Sequence, residues 1–417
     1  MSTIAAWRQL NRAQRNAFIA AFLGWALDAF DYFLLVFVIN DVGKEFHASD
    51  YVVSLATFLT LAFRPVGALI FGILGDRFGR RIPLIVDIVL YSLLELITGF
   101  APNMTAFLVI RALFGIGMGG EWGLGSALAL ESLPASIRGT FSGLLQEGYA
   151  AGYLIASVVY GVAFPYVGWR GLFMVGAIPA LLSLFIRSSV QESPAWLQSR
   201  RSPSTTEKPM GVGQVIAANW KIFVYVVLMM TAFNFMSHGT QDVYPLFLKK
   251  EHKFDPHTVG TIGVIYNLGA ILGGWFFGGI SERIGRRRAI VCAVLLGIPL
   301  IPLWAFSKTA VLLALGAFLL QFMVQGAWGV VPAHLTELAP AMARGTFIGL
   351  AYQTGNLIAS VNLPLEIKLA DHWHGNFGLS IATVVLIVFI ALAIITALGT
   401  EKRGAEFVDT TPKDQVK

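Results

Sequence analysis

The chain has 417 residues, of which 56% are hydrophobic and only 13% charged, and its formal net charge is +6. Soluble domains carry about 25% charged residues. Apolar runs of about twenty residues recur along the whole chain, which is typical of membrane-spanning helices. These features exclude a soluble enzyme, a nucleic-acid-binding protein and a disordered chain, and they predict that the chain is embedded in a lipid bilayer.

The apolar runs between polar breaks predict an all-α protein with twelve transmembrane helices. The predicted spans are residues 17–39, 52–74, 82–101, 105–130, 140–165, 169–187, 220–248, 258–280, 289–306, 309–332, 345–370 and 376–399. The first run is longer than the apolar core of a signal peptide, so it is interpreted as an uncleaved helix.

The polar stretch 188–219 divides the predicted spans into two six-helix halves, 17–187 and 220–399. Its basic residues and prolines predict a cytoplasmic linker. Most of the 30 Lys and Arg residues fall in segments on the same side as residues 1–16, with the cluster around Lys249 and Lys253 as an exception. Basic loops stay inside, so residues 1–16 and the tail 400–417 are predicted to be cytoplasmic, and the protein is predicted to be a multi-pass protein of the plasma (inner) membrane.

The two halves are related by a repeat with a constant spacing of 206 residues, as from Asp76 to Glu282. The matching positions include Arg77 and Arg283, Arg80 and Arg286, Trp122 and Trp328, Glu131 and Glu337, and Arg138 and Arg344. Chance does not give so many matches at one spacing. Six-helix repeats with a binding site at their interface are a transporter architecture.

The loop that contains Asp76, and its copy at Glu282, resemble the signature loops of the major facilitator superfamily. This resemblance implies a fold of two six-helix repeats that works by alternating access. It also implies gating by charged residues at helix ends, which could pair and separate as the halves rock. The alternative is that these charges only set the orientation of the chain in the membrane. The predicted gating residues are Asp76, Arg77, Arg80, Glu131, Arg138, Glu282, Arg283, Arg286, Glu337 and Arg344.

A narrower resemblance lies in the first, second, fourth and seventh spans. The segments from Trp25 to Asp31, from Arg64 to Gly67, and Gly120-Glu121 resemble the sialate:proton symporter branch. The segment Asn234-Phe-Met-Ser-His-Gly-Thr-Gln-Asp242 is similar to the signature of that branch's lactate and pyruvate permeases. The resemblance implies a proton-coupled carrier of a small carboxylic acid.

The polar residues of this seventh-span segment are spaced to share one helix face. Asn234, His238, Gln241 and Asp242 stand at i, i+4, i+7 and i+8. Polar groups on one face of a membrane helix need partners or water, which places the face toward a cavity. Imidazole can change charge near physiological pH. The alternative is interhelical hydrogen bonding without a ligand.

The repeat places Asp28, Asp31 and Tyr32 at positions equivalent to Asn234, Ser237 and His238. At 1.5 Å per residue, both sets lie near the middle of the bilayer. By contrast, three charged residues of the first half have alanine as their equivalents, so duplication of a scaffold does not explain them. These residues are Arg64, Arg111 and Glu121. Asp87 and Glu95 lie in the third span, which the resemblance to the superfamily implies is outside the cavity, so they are interpreted as structural.

Together these observations predict proton-coupled symport of a small monocarboxylate, lactate or pyruvate. Substrate binding is assigned to Arg64, Asn234, His238 and Gln241, because a guanidinium can hold a carboxylate with two parallel hydrogen bonds; a fixed ion pair of Arg64 with Asp28 or Asp31 is the alternative. Proton coupling is assigned to a set that the sequence does not resolve further: Asp242, His238, Asp28, Asp31, Arg111 and Glu121.

Two further classes of function remain open at this stage: a sialate or sugar-acid symporter, and a membrane receptor that binds such acids without transporting them. The chain has no phosphate-binding Gly-Lys-[Ser/Thr] loop, so the predicted driving force is a proton gradient, with no cofactor.

The histidines are too scattered to predict a metal site. The protein is expected to be a monomer and not an enzyme.

Overall fold

The computed structural model describes residues 7–131, 133, 141, 144–178, 180–193, 197, 212–339 and 344–401. These residues form α-helices and one short 3₁₀ turn at Ile298–Leu300, and no strand occurs among them. Five predicted gating positions fall partly or wholly outside this description. The structure describes nothing of Arg138, and it describes only the backbone of Glu131 and Arg344; the side chains of Asp76 and Glu282 are likewise outside the described set.

Six helices form the first half of the molecule. They are α1 (Arg12–Glu45), α2 (Asp50–Phe78), α3 (Arg81–Thr98), α4 (Met104–Glu131), α5 (Gly148–Val175) and α6 (Ala180–Ser189). Local capping explains where the first two begin. Asn11 and Gln14 form a reciprocal capping box at the start of α1, and the Ser49 hydroxyl accepts from the Val52 N–H at the start of α2.

The second half is built in the same way, with more interruptions. Its helices are α7 (Val212–Ala218), α8 (Trp220–Gln241), α9 (Tyr244–Lys250), α10 (Pro256–Ile284), α11 (Arg286–Gly297), α12 (Ile301–Phe306), α13 (Ala310–Leu338), α14 (Arg344–Ala359), α15 (Asn362–His372) and α16 (Phe377–Leu398). The short helix α7 lies in the stretch that the sequence predicts to be a linker.

Nine helical stretches in the described part of the chain are long and apolar enough to cross a membrane. The other three predicted spans correspond to α3, to the end of α5 with α6, and to α14 with α15. Many apolar side chains on the outer surface are exposed, among them Leu69 at 66% and Trp275 at 78%. Such a surface fits contact with lipid tails, since a water-soluble protein rarely exposes large apolar patches.

Three interruptions depart from the predicted spans. The fifth and sixth spans run together across a kink at Gly168, whose φ of 64° is a left-handed conformation that favours glycine. The seventh span breaks between α8 and α9, and Asp242 forms the C-terminal cap of α8 with its N–H donated to the His238 carbonyl. The eleventh span breaks at Ser360 and Val361. The breaks within the seventh and eleventh spans resemble the discontinuous helices that form binding sites in carriers.

The repeated loop motif has the same backbone conformation in both halves. Gly79 and Gly285 stand at equivalent positions with φ of 94° and 98°. In the first half, Glu192 accepts from the backbone N–H groups of Arg80 and Arg81, at 2.8 and 3.1 Å. In the second half, Glu401 accepts from those of Arg286 and Arg287, at 3.4 and 3.0 Å. Each carboxylate therefore caps the helix that follows the motif.

One predicted gating pair is formed within the second half. The Arg286 guanidinium lies 3.2 Å from the Glu337 carboxylate. His334, Glu337 and Glu401 bring ligand atoms within 4.8 Å of one another, but Glu337 is already paired with the Arg286 guanidinium, and Glu401 accepts from the backbone N–H groups of Arg286 and Arg287. This arrangement favours an ion-pair network at the helix ends over a metal site.

Candidate functional site

A small cavity lies between the two halves of the molecule. Its walls come from α2 and the start of α5 on one side and from α8, α13 and α14 on the other. The lining residues are Arg64, Gln146, Tyr149, Asn234, Ser237, His238, Gln325, Trp328 and Tyr352. The cavity volume is about 20 Å³, and a water molecule needs about 10–15 Å³ on the same measure. In this conformation the cavity is therefore contracted and must open to admit an organic ligand.

Arg64 brings a positive charge into this cavity. Its side chain is only 2% exposed, and its Nη2 lies 3.6 Å from Asp28 Oδ2, a separation that makes an ion pair but no hydrogen bond. The guanidinium Cζ lies 5.6 Å from the centre of the Trp25 ring. Nε and Nη2 donate no hydrogen bond to any residue that the structure describes. The donors of a buried cation are thus left available for an anion.

The deepest polar contact between the halves joins Tyr32 to the seventh-span segment. The Tyr32 hydroxyl donates to Asp242 Oδ2 at 2.8 Å and lies 3.3 Å from His238 Nδ1. His238 Nδ1 lies 3.0 Å from the same Asp242 oxygen. Tyr32 and His238 are equivalent residues of the repeat. Because two equivalent residues can touch only near the axis that relates the halves, this contact marks the pseudo-symmetry axis of the molecule.

Of the other polar residues of α8, some line the cavity and others bind neighbouring side chains. Asn234 lines the cavity, and its Nδ2 has no hydrogen-bond partner in the described ranges. Gln241 does not line the cavity; its amide donates to the Ser237 hydroxyl at 3.1 Å, and Ser237 does line it. Thr240 points elsewhere, since its hydroxyl accepts from the Gln321 amide at 2.8 Å.

The predicted coupling residues of the first half lie behind the cavity and do not line it. Arg111 Nη1 is 2.5 Å from Glu95 Oε2, and both side chains are fully buried. Arg111 also stacks on Phe114, with 4.0 Å from Cζ to the ring centre. Asp31 and Glu121 are fully buried as well, and neither carboxylate has a hydrogen-bond partner among the described residues. These groups form a buried cluster of ionisable side chains within the first half.

Six lining residues were not singled out from the sequence as site residues. They are Gln146, Tyr149, Ser237, Gln325, Trp328 and Tyr352. The repeat carries a usable signal for two of them, because Gln146 and Tyr352 are equivalent positions. The two glutamines also interrupt apolar surroundings. Tyr149 gives no such signal, since aromatic side chains also face the lipid.

The halves touch on both sides of the cavity. At the face where α1 ends, Lys249 forms an ion pair with Asp41, and Lys250 forms one with Asp50. Toward the face where α1 begins, Trp122 stacks on Tyr352, with ring centres 5.4 Å apart and planes at 28°. The two halves are therefore in contact on both sides of the cavity, and this arrangement is called the closed state.

The Lys249–Asp41 contact is expected to act as a latch on this closed state. Lys249→Ala should slow transport about 10-fold, because losing a charged hydrogen bond costs about 1.5 kcal/mol or more. The charge-swapped pair Lys249→Asp with Asp41→Lys should recover most of the rate. Initial uptake rates in proteoliposomes measure both, with Lys253→Ala, an exposed lysine of the next loop, as the matched control. A swapped pair no faster than the single variant would contradict the latch.

Comparison with known proteins agrees with this architecture. The family described as "Sugar (and other) transporter" matches residues 16–210, and "Major Facilitator Superfamily" matches residues 242–414. The xylose transporter XylE from E. coli, in a partially occluded inward-open conformation, has the same fold, with a TM-score of 0.75, 18% identity, and coverage of 95% of this chain and all of that one.

Three curated relatives are similar over most of the chain. The Cis,cis-muconate transport protein of Acinetobacter baylyi is 30% identical, covering 93% of this chain and 94% of its own. The sialic acid transporter NanX of Escherichia coli is 28% identical, with 96% and 97% covered. The Carboxylic acid transporter protein homolog of Saccharomyces cerevisiae is 30% identical over 88% of this chain, and this chain spans 63% of its length.

These findings establish a membrane transporter class, and the chain belongs to the major facilitator superfamily. The predicted all-α fold of twelve transmembrane helices in two six-helix repeats is confirmed, and so is the predicted multi-pass membrane character.

Proposed function

We propose that the protein is a proton-coupled symporter of a small monocarboxylate, with lactate or pyruvate as the substrate. The observation that carries the proposal is Arg64: a buried guanidinium facing an enclosed cavity, with two nitrogen donors free of hydrogen bonds to the described residues. A fixed charge at that depth is costly and is typical of a ligand site. The similarity to carboxylic acid and sialic acid transporters supports an acidic substrate.

In this proposal each of these residues has a separate role in binding the substrate or the proton. Arg64 binds the carboxylate with two parallel hydrogen bonds. Asn234 contacts the neighbouring hydroxyl or keto oxygen, and Gln241 acts through the Ser237 hydroxyl to which it is bonded. His238 and Asp242 exchange the proton.

The contacts between the halves then couple binding to alternating access. A proton bound at Asp242 removes the negative charge that accepts from Tyr32, which weakens the central contact between the halves. One proton with one monoanion carries no net charge, so transport would follow the pH gradient more than the voltage. We further propose a monomer in the plasma (inner) membrane, with both termini in the cytoplasm.

A sialate or sugar acid is the second candidate substrate. Three aromatic rings, from Tyr149, Trp328 and Tyr352, line the cavity beside the polar residues. Flat apolar rings suit the C–H faces of a sugar acid. Such a substrate would need a wider opening of the halves than lactate does.

Uptake by the purified protein in sealed proteoliposomes tests the proposal. With an inside-alkaline gradient of one pH unit, labelled lactate or pyruvate should accumulate about 10-fold, the equilibrium ratio for one proton per anion. Acetate has no hydroxyl or keto oxygen next to its carboxylate, so it should accumulate more slowly. Accumulation of sialate alone would favour the second candidate. Binding of an acid without any accumulation would instead indicate a receptor.

A further inference from the structure

Helix α15 carries a buried carboxyl group that the sequence analysis did not single out. Glu366 is completely buried, and neither of its carboxylate oxygens has a hydrogen-bond partner in the described part of the chain. Asn362, one turn earlier on the same helix, is also buried, and its side-chain amide is likewise unbonded there. An ionised carboxylate without donors in such a place is strongly disfavoured. The carboxyl group of Glu366 therefore needs a proton in this conformation.

The position of Glu366 connects it to the seventh-span segment. The space where a side chain of Gly239 would begin is taken by Glu366 Oε1 and by the Asn362 amide, at 3.3 and 3.5 Å from an ideal Cβ. Gly239 directly follows His238 and lies one turn before Asp242 on the same helix. The missing side chain at Gly239 thus lets Glu366 approach α8 beside the two residues assigned to the proton.

The carboxyl groups of Asp242 and Glu366 differ in their hydrogen-bond partners. Asp242 Oδ2 lies within hydrogen-bond distance of Tyr32 and His238, and such donors stabilise the charged form of a carboxyl group. Glu366 lacks these donors; the polar side chain beside it at Gly239 is the Asn362 amide. Two neighbouring carboxyl groups in a site without water are disfavoured as a doubly charged pair, because their charges repel.

The other elements packed against α15 do not supply a counter-charge to Glu366. From α16, the Ser380 hydroxyl donates to the backbone carbonyl of Glu366 at 2.6 Å, not to its side chain. From α2, Tyr51 lies in a surface groove together with Lys368, an exposed residue of α15. Asp50 at the start of α2 is paired with Lys250.

We propose that Glu366 is a proton-binding residue of the carrier, and that Glu366 and Asp242 share the transported proton. In the closed state Glu366 holds the proton while Asp242 remains a carboxylate bonded to Tyr32 and His238. When the site opens and hydrates, the proton is exchanged with water through Asp242. This inference rests on the proposed function and extends it by a second proton-binding group.

Glu366→Gln tests the inference because glutamine copies the shape of the protonated acid but binds no proton. In proteoliposomes with a one-unit inside-alkaline gradient, accumulation of labelled lactate should fall from about 10-fold to no accumulation. Exchange of lactate across the membrane without a gradient should stay within about threefold of the unaltered protein, since exchange does not require release of the proton. Asp371→Asn, the same loss of charge at an exposed position of α15, should change neither quantity.

The outcomes separate the two proposals. If the unaltered protein accumulates lactate, pyruvate or sialate and Glu366→Gln does so equally, Glu366 is permanently protonated and only this inference is overturned. If the unaltered protein accumulates none of these acids, the proposed function is overturned and this inference with it. If Glu366→Gln fails to insert, Glu366→Asp decides: it should retain accumulation with a shifted pH profile, and an unshifted profile would overturn the role of Glu366.

Discussion

Replacing Arg64 by lysine is expected to weaken lactate binding about 10- to 150-fold while leaving the protein folded and inserted. The positive charge is retained, so the cost of burying it and its attraction to Asp28 change little. A lysine ammonium cannot reproduce the two parallel hydrogen bonds of a guanidinium to a carboxylate. The loss of one charged hydrogen bond is about 1.5–3 kcal/mol. Calorimetric titration of the purified variant with lactate measures this change.

The control for Arg64 separates a ligand role from a fixed ion pair. Arg170→Lys makes the same exchange at a half-exposed arginine that binds Glu45 far from the cavity, and it should leave the lactate affinity unchanged. If Arg64 served only to neutralise Asp28, Arg64→Lys would bind lactate almost normally. In that case Arg64→Ala would lose expression, and the pair Arg64→Ala with Asp28→Ala would regain it. Near-native affinity in Arg64→Lys therefore excludes substrate binding by this residue.

The repeat explains why so much of the fold was predictable from the sequence. A spacing of 206 residues matches the two loop motifs, and the structure gives Gly79 and Gly285 nearly the same φ. Apolar run lengths located the spans because each must cross the same thickness of lipid. The breaks within spans were not predictable in this way. The break at Asp242 and Val243, for example, precedes Pro245, but a proline in an apolar run does not by itself decide between a break and a continuous helix, since Pro65 lies inside the unbroken α2.

The site was predictable only in part, because it depends on how the two halves meet. Spacing on one helix placed Asn234 and His238 on a common face, and both line the cavity. The sequence also aligned Tyr32 with His238, but the direct contact between them depends on the relative orientation of the halves. Likewise Trp328 lines the cavity whereas Trp275 is 78% exposed. The apolar residues around each do not distinguish the two, and only the repeat does, since Trp328 is matched by Trp122 and Trp275 by Leu69.

The partners of the buried charges also required the three-dimensional structure. Arg111 was assigned to proton coupling and Glu95 to a structural role, yet the two side chains form one buried ion pair between α4 and α3. Glu366 was not predicted as a site residue, because a single acidic residue near the end of a predicted span is also common at an exposed helix end. Only the packing of α15 against Gly239 shows that this carboxyl group is buried next to the seventh-span segment.

Asp242→Asn is expected to abolish uphill accumulation of lactate while preserving exchange. Asparagine keeps the size of the side chain and copies the neutral, protonated form of the acid; its oxygen can still accept from Tyr32, but more weakly than a carboxylate, so the halves can still move. It removes the only carboxylate that lies between Tyr32 and His238, and with it the exchange of the proton with water. Accumulation at a one-unit pH gradient should fall from about 10-fold to none, whereas counterflow of labelled lactate should stay within about threefold of the unaltered protein.

Proteoliposomes with a pH-sensitive dye inside give the second readout for Asp242. The unaltered protein should acidify the lumen when lactate is added outside, and Asp242→Asn should not, because lactate then moves without a proton. Asp371→Asn serves again as the exposed control. If Asp242→Asn still concentrates lactate and still acidifies the lumen, Asp242 does not carry the coupling proton, and loss of both in Glu366→Gln would assign the proton to Glu366 alone. If both variants lose acidification and keep counterflow, the two carboxyl groups act on one proton, as their opposite environments across Gly239 imply.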